Sequence, residues 1–230
     1  MNGRKGAWLD ELTRPEAAAR IAEGAPILLP VGAGAKAHGP HLALGTDRIT
    51  ARALADRVLH RLPLLAAPVL DLGYYPAFLN FPGSQHLSEP TFRAVLGEIL
   101  DGFARHGSRR VAILNIGVST EPPIDAVVAG RPGVLALHMR HLGLAARALL
   151  EVPDGGHADE AESSVMLALD PKSVRMAALG PAAPFTESAA TGDSSRASAF
   201  KGERLLAARV DDIVDALQAA WPDLGNSGTM

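Results

Sequence analysis

Two short stretches of the chain hold most of the side chains that could do chemistry. The first runs from Pro30 to Asp47: Pro-Val-Gly-Ala-Gly-Ala-Lys-Ala-His-Gly-Pro-His-Leu-Ala-Leu-Gly-Thr-Asp. It continues from an apolar run, Ile27-Leu28-Leu29-Pro30-Val31, that reads as a buried strand. Its histidines therefore fall at a strand's carboxyl end, where open α/β sheets place their ligands. His38 and His41, with Asp47 following, offer borderline nitrogens and a hard oxygen, a set suited to zinc, manganese or iron. Gly39-Pro40 fixes the turn between the two rings. The plain alternative is a pair of ordinary loop histidines, and spacing alone does not choose. The second stretch is Gly155 to Ser164, in which His157 precedes Asp159, Glu160 and Glu162 at a helix start. A helix beginning near Ala158 projects Glu162 about one turn on, toward His157. Asp159 and Glu160 read as a solvated, capped N-terminus. Glu162, ahead of Val165 and Met166, reads as buried.

Ser119 and Thr120, at the end of another apolar run, could bind substrate. No Gly-x-Ser-x-Gly elbow supports a serine nucleophile. The Gly32-Ala33-Gly34 turn lacks the third glycine of a nucleotide fingerprint. With no cysteine, thiolate chemistry, disulfides and cysteine-based zinc sites are excluded. A net charge of −3 and 4% aromatic residues leave no footprint for nucleic acid. No apolar run is long enough to cross a membrane, and Met1 to Asp10 has no apolar segment of a secretory signal, so a cytoplasmic protein is expected.

The elements that must position these residues follow from periodicity. Strands are expected at 27–31, 64–70, 110–115 and 134–139. Helices are expected at about 48–61 (Ile49, Ala53, Leu54 and Val58 inward), from Pro90 to a stop at Gly107, at 159–169 and at 201–221. Strands separated by crossover helices imply a mostly parallel sheet with helices on both faces, an α/β class fold. Gly180 to Ser198, rich in Pro, Ser, Thr and Ala, reads as a long functional loop. The 230 residues, 47% hydrophobic, suit one domain over 1–225, with 226–230 as a frayed tail.

His-Gly-Pro-His-Leu-x-Leu-Gly-Thr-Asp and His-Ala-Asp-Glu-x-Glu-Ser-Ser resemble the two signature blocks of the creatininase (creatinine amidohydrolase) family. Phe81-Pro82-Gly83-Ser84, Gly107 to Val111, and Gly192-Asp193 with Ala197 to Gly202 resemble further family blocks. The resemblance implies a three-layer α/β/α sandwich, commonly a homohexamer, that binds divalent metal and hydrolyses C–N bonds of small cyclic or linear amides. It implies His38, Asp47 (bridging) and Glu162 as metal ligands, and His157, with Glu160, as proton carriers near substrate. His41 is more often structural in that motif. Lys36, His41, Ser119 and Thr120 are candidate substrate contacts.

The chain departs from the family twice. A glutamate one or two residues before the first histidine is replaced by Lys36 and Ala37. The metal-binding histidine after the central strand is replaced by Gly117, in Asn-Ile-Gly-Val-Ser-Thr. The remaining donors suit one divalent metal (Zn, Mn or Fe) or none. Lys36 is expected to snorkel to solvent; turned inward, its ammonium would pair with Asp47 and disfavour a second dication. Ala37 is read as the site of a lost acid. The resulting expectation is a metal-dependent amide hydrolase acting on a small molecule. A non-catalytic family member, or a hydrolase of a ring-ketone C–C bond, are the alternatives. Phe185 and Phe200, flanking the long loop, are expected to anchor in a neighbouring subunit.

Overall fold

The computed structural model describes residues 3–152 and 155–225; the expected 226–230 tail lies outside them. Five parallel strands form one sheet: β1 (Ala7–Trp8), β2 (Ile27–Val31), β3 (Leu65–Ala66), β4 (Val111–Asn115) and β5 (Val134–His138). Their order is β1-β3-β2-β4-β5. The helices are α1 (Arg14–Ala22), α2 (Thr46–Arg61), α3 (Glu89–Arg105), α4 (Glu121–Val128), α5 (Glu160–Leu169), the single-turn α6 (Phe185–Ser188) and α7 (Ala199–Ala220).

Side-chain alternation along the strands divides the core in two. Leu28, Ala112 and Leu114 point to the layer of α2, α5 and α7. Ile27, Leu29, Val31, Val111 and Ile113 point to the layer of α3 and α4, with Ile21 of α1 at its margin. This is the expected α/β/α sandwich. The α7 stripe Leu205, Leu206, Val210, Ile213, Val214 and Leu217 is buried throughout, and each such side chain contributes about 1.5–3 kcal/mol of burial. α5 and α7 pack backbone to backbone, because a Cβ at Gly202 would collide with the Ser164 carbonyl.

Three expectations are corrected. The 64–70 strand contracts to Leu65–Ala66: Pro68 has no N–H to donate, and pairing resumes only as a bridge between Val31 and Leu70. In α2 the buried face is Thr46, Asp47, Thr50, Ala51, Leu54, Ala55, Val58 and Leu59, so Ile49 and Ala53 turn partly outward. The 180–198 segment is a loop interrupted by α6 and by a bridge between Pro181 and Asp193.

Candidate active site

β2 and β4 run side by side, with Val31 opposite Asn115, and both release their loops on one edge of the sheet. The β2 loop carries Lys36, Ala37, His38 and His41 and then enters α2 at Thr46-Asp47. Gly39 makes the turn between the histidines at φ +66°, where a Cβ would press on the His41 ring at 3.0 Å. The α5 N-terminus meets this loop from the opposite side.

Asp47 is the buried centre. Its Oδ1 lies 2.8 Å from His38 Nε2 and its Oδ2 2.6 Å from Lys36 Nζ. Lys36 is itself buried, its ammonium over the rings of Tyr75 and Phe78 at 5.5 and 5.1 Å. The expected snorkelling does not occur. Burial alone would raise the Asp47 carboxyl, but the charges of Lys36 and His38 and their hydrogen bonds outweigh it and hold the group well below the usual carboxylate range.

His157 stacks 4.6 Å from His38, centroid to centroid. Its Nε2–H donates to the Ala37 carbonyl at 2.8 Å. Nδ1 therefore presents a lone pair, 3.7 Å from Glu162 Oε2. Burial, then the charges of His38 and Lys36, push His157 down to about 3, so the ring is neutral near pH 7. Glu162 Oε2 accepts from the Ala158 N–H at 2.7 Å. Ala158 holds φ +50°, a left-handed conformation that costs a non-glycine residue about 1–2 kcal/mol and aims that N–H at the carboxylate.

His38, His157 and Glu162 each bring a donor atom within 4.8 Å of the others, a separation that suits one metal ion. The His38 ring supports the same fit. Nδ1 faces the Lys36 carbonyl at 2.7 Å and must donate, so on a neutral ring Nε2 would meet Asp47 Oδ1 lone pair to lone pair. A cation or a second ring proton makes that contact attractive. Lys36 Nζ covers Asp47 Oδ2, which disfavours a second cation on that oxygen, and Gly117 offers no donor.

The other expected residues stand apart from this group. Glu160 does not reach it. It is fully buried, accepting from Lys201 Nζ at 2.5 Å and from the Glu151 and Val152 N–H groups at 3.0 and 2.7 Å. It is therefore a structural acid, neither solvated nor a proton carrier. Asp159 is the N-cap of α5, accepting from the Glu162 N–H at 2.9 Å. His41 Nε2 pairs with Ser163 Oγ at 2.7 Å behind the site, and burial lowers its pKa. Thr120 Oγ1 donates to Asn115 Oδ1 at 2.6 Å, and Ser119 Oγ to the Tyr74 carbonyl at 2.8 Å, so both hydroxyls brace the β4–α4 loop instead of facing substrate. Ala37 faces an apolar cluster of Ala33, Tyr75, Phe78 and Ala189, not the donors. Phe185 packs inward on Phe78 and Phe81, each at 5.6 Å, whereas Phe200 is 70% exposed.

A cleft of about 390 Å³ leads away from Glu162, lined by Asp159, Arg140, Arg147 and Arg209 among others. These arginines escaped sequence reading because they come from the β5–α5 connection and α7, with no motif around them.

A parallel three-layer sandwich with a histidine–carboxylate cluster at the carboxyl ends of its strands places the chain in the α/β class that binds ligands at that edge. Residues 10–217 match the creatininase family, described as creatinine amidohydrolase. A creatinine amidohydrolase of Pseudomonas putida is 35% identical over 117 residues, 48% of this chain and 45% of that protein. The mycofactocin precursor peptide peptidase of Mycolicibacterium smegmatis is 28% identical over 222 residues, 86% of each chain. Its counterpart in Mycobacterium tuberculosis is 30% identical over 223 residues, 85% of each. Among solved structures, a manganese creatininase superposes with a TM-score of 0.83 at 25% identity, covering 94% of this chain and 99% of that one. A mutant creatininase of the Zn-Zn type gives 0.81 at 28% identity, covering 94% and 98%. The chain belongs to the creatininase family of hydrolases. Among the described residues no helix is long and apolar enough to cross a membrane.

Proposed function

We propose that the protein hydrolyses an amide bond of a small polar molecule at the His38–His157–Glu162 centre, with a single divalent cation, zinc, manganese or iron. The observation that carries this reading is the convergence of those three donors beside an Asp47 whose other oxygen is paired with Lys36 at 2.6 Å. His38 (through Nε2), His157 and Glu162 are the residues that would hold the cation, with Asp47 Oδ1 beside the same His38 nitrogen. The cation, when bound, supplies Lewis acidity and an activated water. The Lys36 carbonyl, accepting from Nδ1–H, orients the His38 ring so that Nε2 faces Asp47. Glu162, fixed by the Ala158 N–H, takes the proton released in attack on the carbonyl carbon and returns it to the leaving nitrogen. Lys36 gives Asp47 a permanent counter-charge where a second dication would otherwise sit.

The peptidase relatives, aligned over most of their length, favour a linear amide over a lactam. A homohexamer is the assembly we propose, with exposed Phe200 at a subunit contact. The test is elemental analysis of the purified protein, followed by assay of the metal-loaded protein on a panel of short peptides, N-acyl amino acids and lactams. One equivalent of metal with turnover of any panel amide supports the reading. A metal-free protein inert after loading would make it the non-catalytic member of its family.

A further inference from the structure

The guanidinium of Arg209 is poorly accounted for by its surroundings. It projects from the middle of α7 into the wall of the 390 Å³ cleft and also borders a 40 Å³ pocket floored by Asp47 and Glu162. Its Nε is sealed from solvent with no hydrogen-bond partner. Among the described residues it forms no ion pair. The nearby acids each give one oxygen to backbone, Asp159 Oδ1 to the Glu162 N–H and Glu162 Oε2 to the Ala158 N–H, and their charges reach Arg209 only from beyond ion-pair distance. A half-buried guanidinium whose Nε is sealed without an acceptor is costly unless something completes it. The stem runs over Gly143, where a Cβ would lie 2.7 Å from Arg209 Cγ. Arg147, on the cleft rim, also has no ion-pair partner among the described residues, whereas Arg140 is paired with Glu121 at 2.7 Å.

We propose that this cleft binds the carboxylate of the substrate, with the half-buried Arg209 as the inner anchor and Arg147 as the rim contact. The substrate class is then a small amide bearing a carboxylate a few bonds from the scissile bond, as in an N-acyl amino acid, a short peptide C-terminus or a lactam carboxylic acid. A planar guanidinium fork matches a planar carboxylate two bonds at a time. Glu162 lines the same cleft, so a molecule anchored at Arg209 extends its amide toward the hydrolytic centre. The orientation rests on the proposed hydrolase reading; the binding does not.

Matched pairs separate the two. N-acetylated amino acids and lactam carboxylic acids are titrated against their own carboxamides by calorimetry, with inorganic phosphate as a further ligand. The wild type should bind the acids at least tenfold more tightly than the carboxamides. Arg209→Met should weaken the acids about 10–100-fold and leave the carboxamides unchanged. Should that variant fail to fold, Arg147→Gln, at an exposed position, should weaken the acids severalfold. Acids that bind without turnover would support the carboxylate site while removing the hydrolase reading. Equal binding of acids and carboxamides, phosphate binding without acid binding, no binding of any pair member, or unchanged discrimination in the folded variants would each overturn the proposal.

Discussion

Lys36 Nζ and Asp47 Oδ2 lie 2.6 Å apart in the interior, with His38 on the carboxylate's other oxygen. An ammonium thus occupies a flank of Asp47 where the family's resemblance places a metal. An ammonium is a single charge with no open coordination position, so it can balance the carboxylate but cannot activate water. We expect at most one tightly bound dication per chain by elemental analysis, and a second equivalent on Lys36→Glu. Two equivalents in the wild type would contradict this assignment of Lys36.

Ala37→Glu is expected to destabilise the protein and not to strengthen metal binding, reversing the expectation drawn from sequence. The side chain sits among Ala33, Tyr75, Phe78 and Ala189, and a carboxylate there would be buried against rings, with the ammonium of Lys36 already committed to Asp47. A loss of about 2–4 kcal/mol is expected in denaturant melts. A variant of wild-type stability that binds more metal would show that the loop re-forms around the new acid.

Glu160→Gln should cost about 1–2 kcal/mol, because Lys201 loses its buried partner but keeps Glu151 at 2.8 Å. Its turnover per folded molecule should stay within about twofold of wild type. A drop of a hundredfold at full stability would return Glu160 to the catalytic group.

Glu162→Gln tests the proton carrier. The neutral amide can still accept from the Ala158 N–H, so the loop should hold, while amide turnover should fall by about 10²–10⁴-fold. Elemental analysis beside the assay separates its two proposed roles: activity lost with metal retained assigns proton transfer to Glu162, activity lost together with the metal assigns it only as a ligand, and retained activity would place proton transfer elsewhere.

Asp159 makes stability depend on pH. Burial, and then the neighbouring Glu162 charge, push its carboxyl up to about 6 from 3.8. A raised pKa means the protonated form is favoured in the folded state. Its contribution is therefore full below about pH 4 and is lost as pH rises through 6. Asp159→Asn keeps an N-cap acceptor. In chelator-treated protein it should be more stable than wild type by about 1–2 kcal/mol at pH 8, with the difference closing by pH 4. A constant difference across that range would count against the raised carboxyl.

The layers were legible because they depend on periodicity. The α7 stripe, β2 and β4 emerged at nearly their observed bounds. Helix α4 was not anticipated: its Glu121-Pro122-Pro123 start fits a first turn, but eight residues carry too little apolar stripe to register. The site was legible where two motifs converge, at His38, Asp47, His157 and Glu162. Its polarity was not. Whether Lys36 points inward depends on Tyr75 and Phe78 closing over it, and whether Glu160 meets solvent depends on Lys201 reaching across from α7. These pairings join residues distant in sequence, and nothing local encodes them.

Gly143 touches none of the hydrolytic residues, yet it sets where the cleft's charge sits. Its left-handed turn, φ +71°, is fixed by an N–H bond to Asp212 Oδ2 at 2.6 Å, and the stem of Arg209 lies across its bare α-carbon. Any larger residue at 143 would lever the guanidinium along the wall. Divergent members of this family can thus differ in the charge of this cleft through one remote loop position, with every motif of the centre intact.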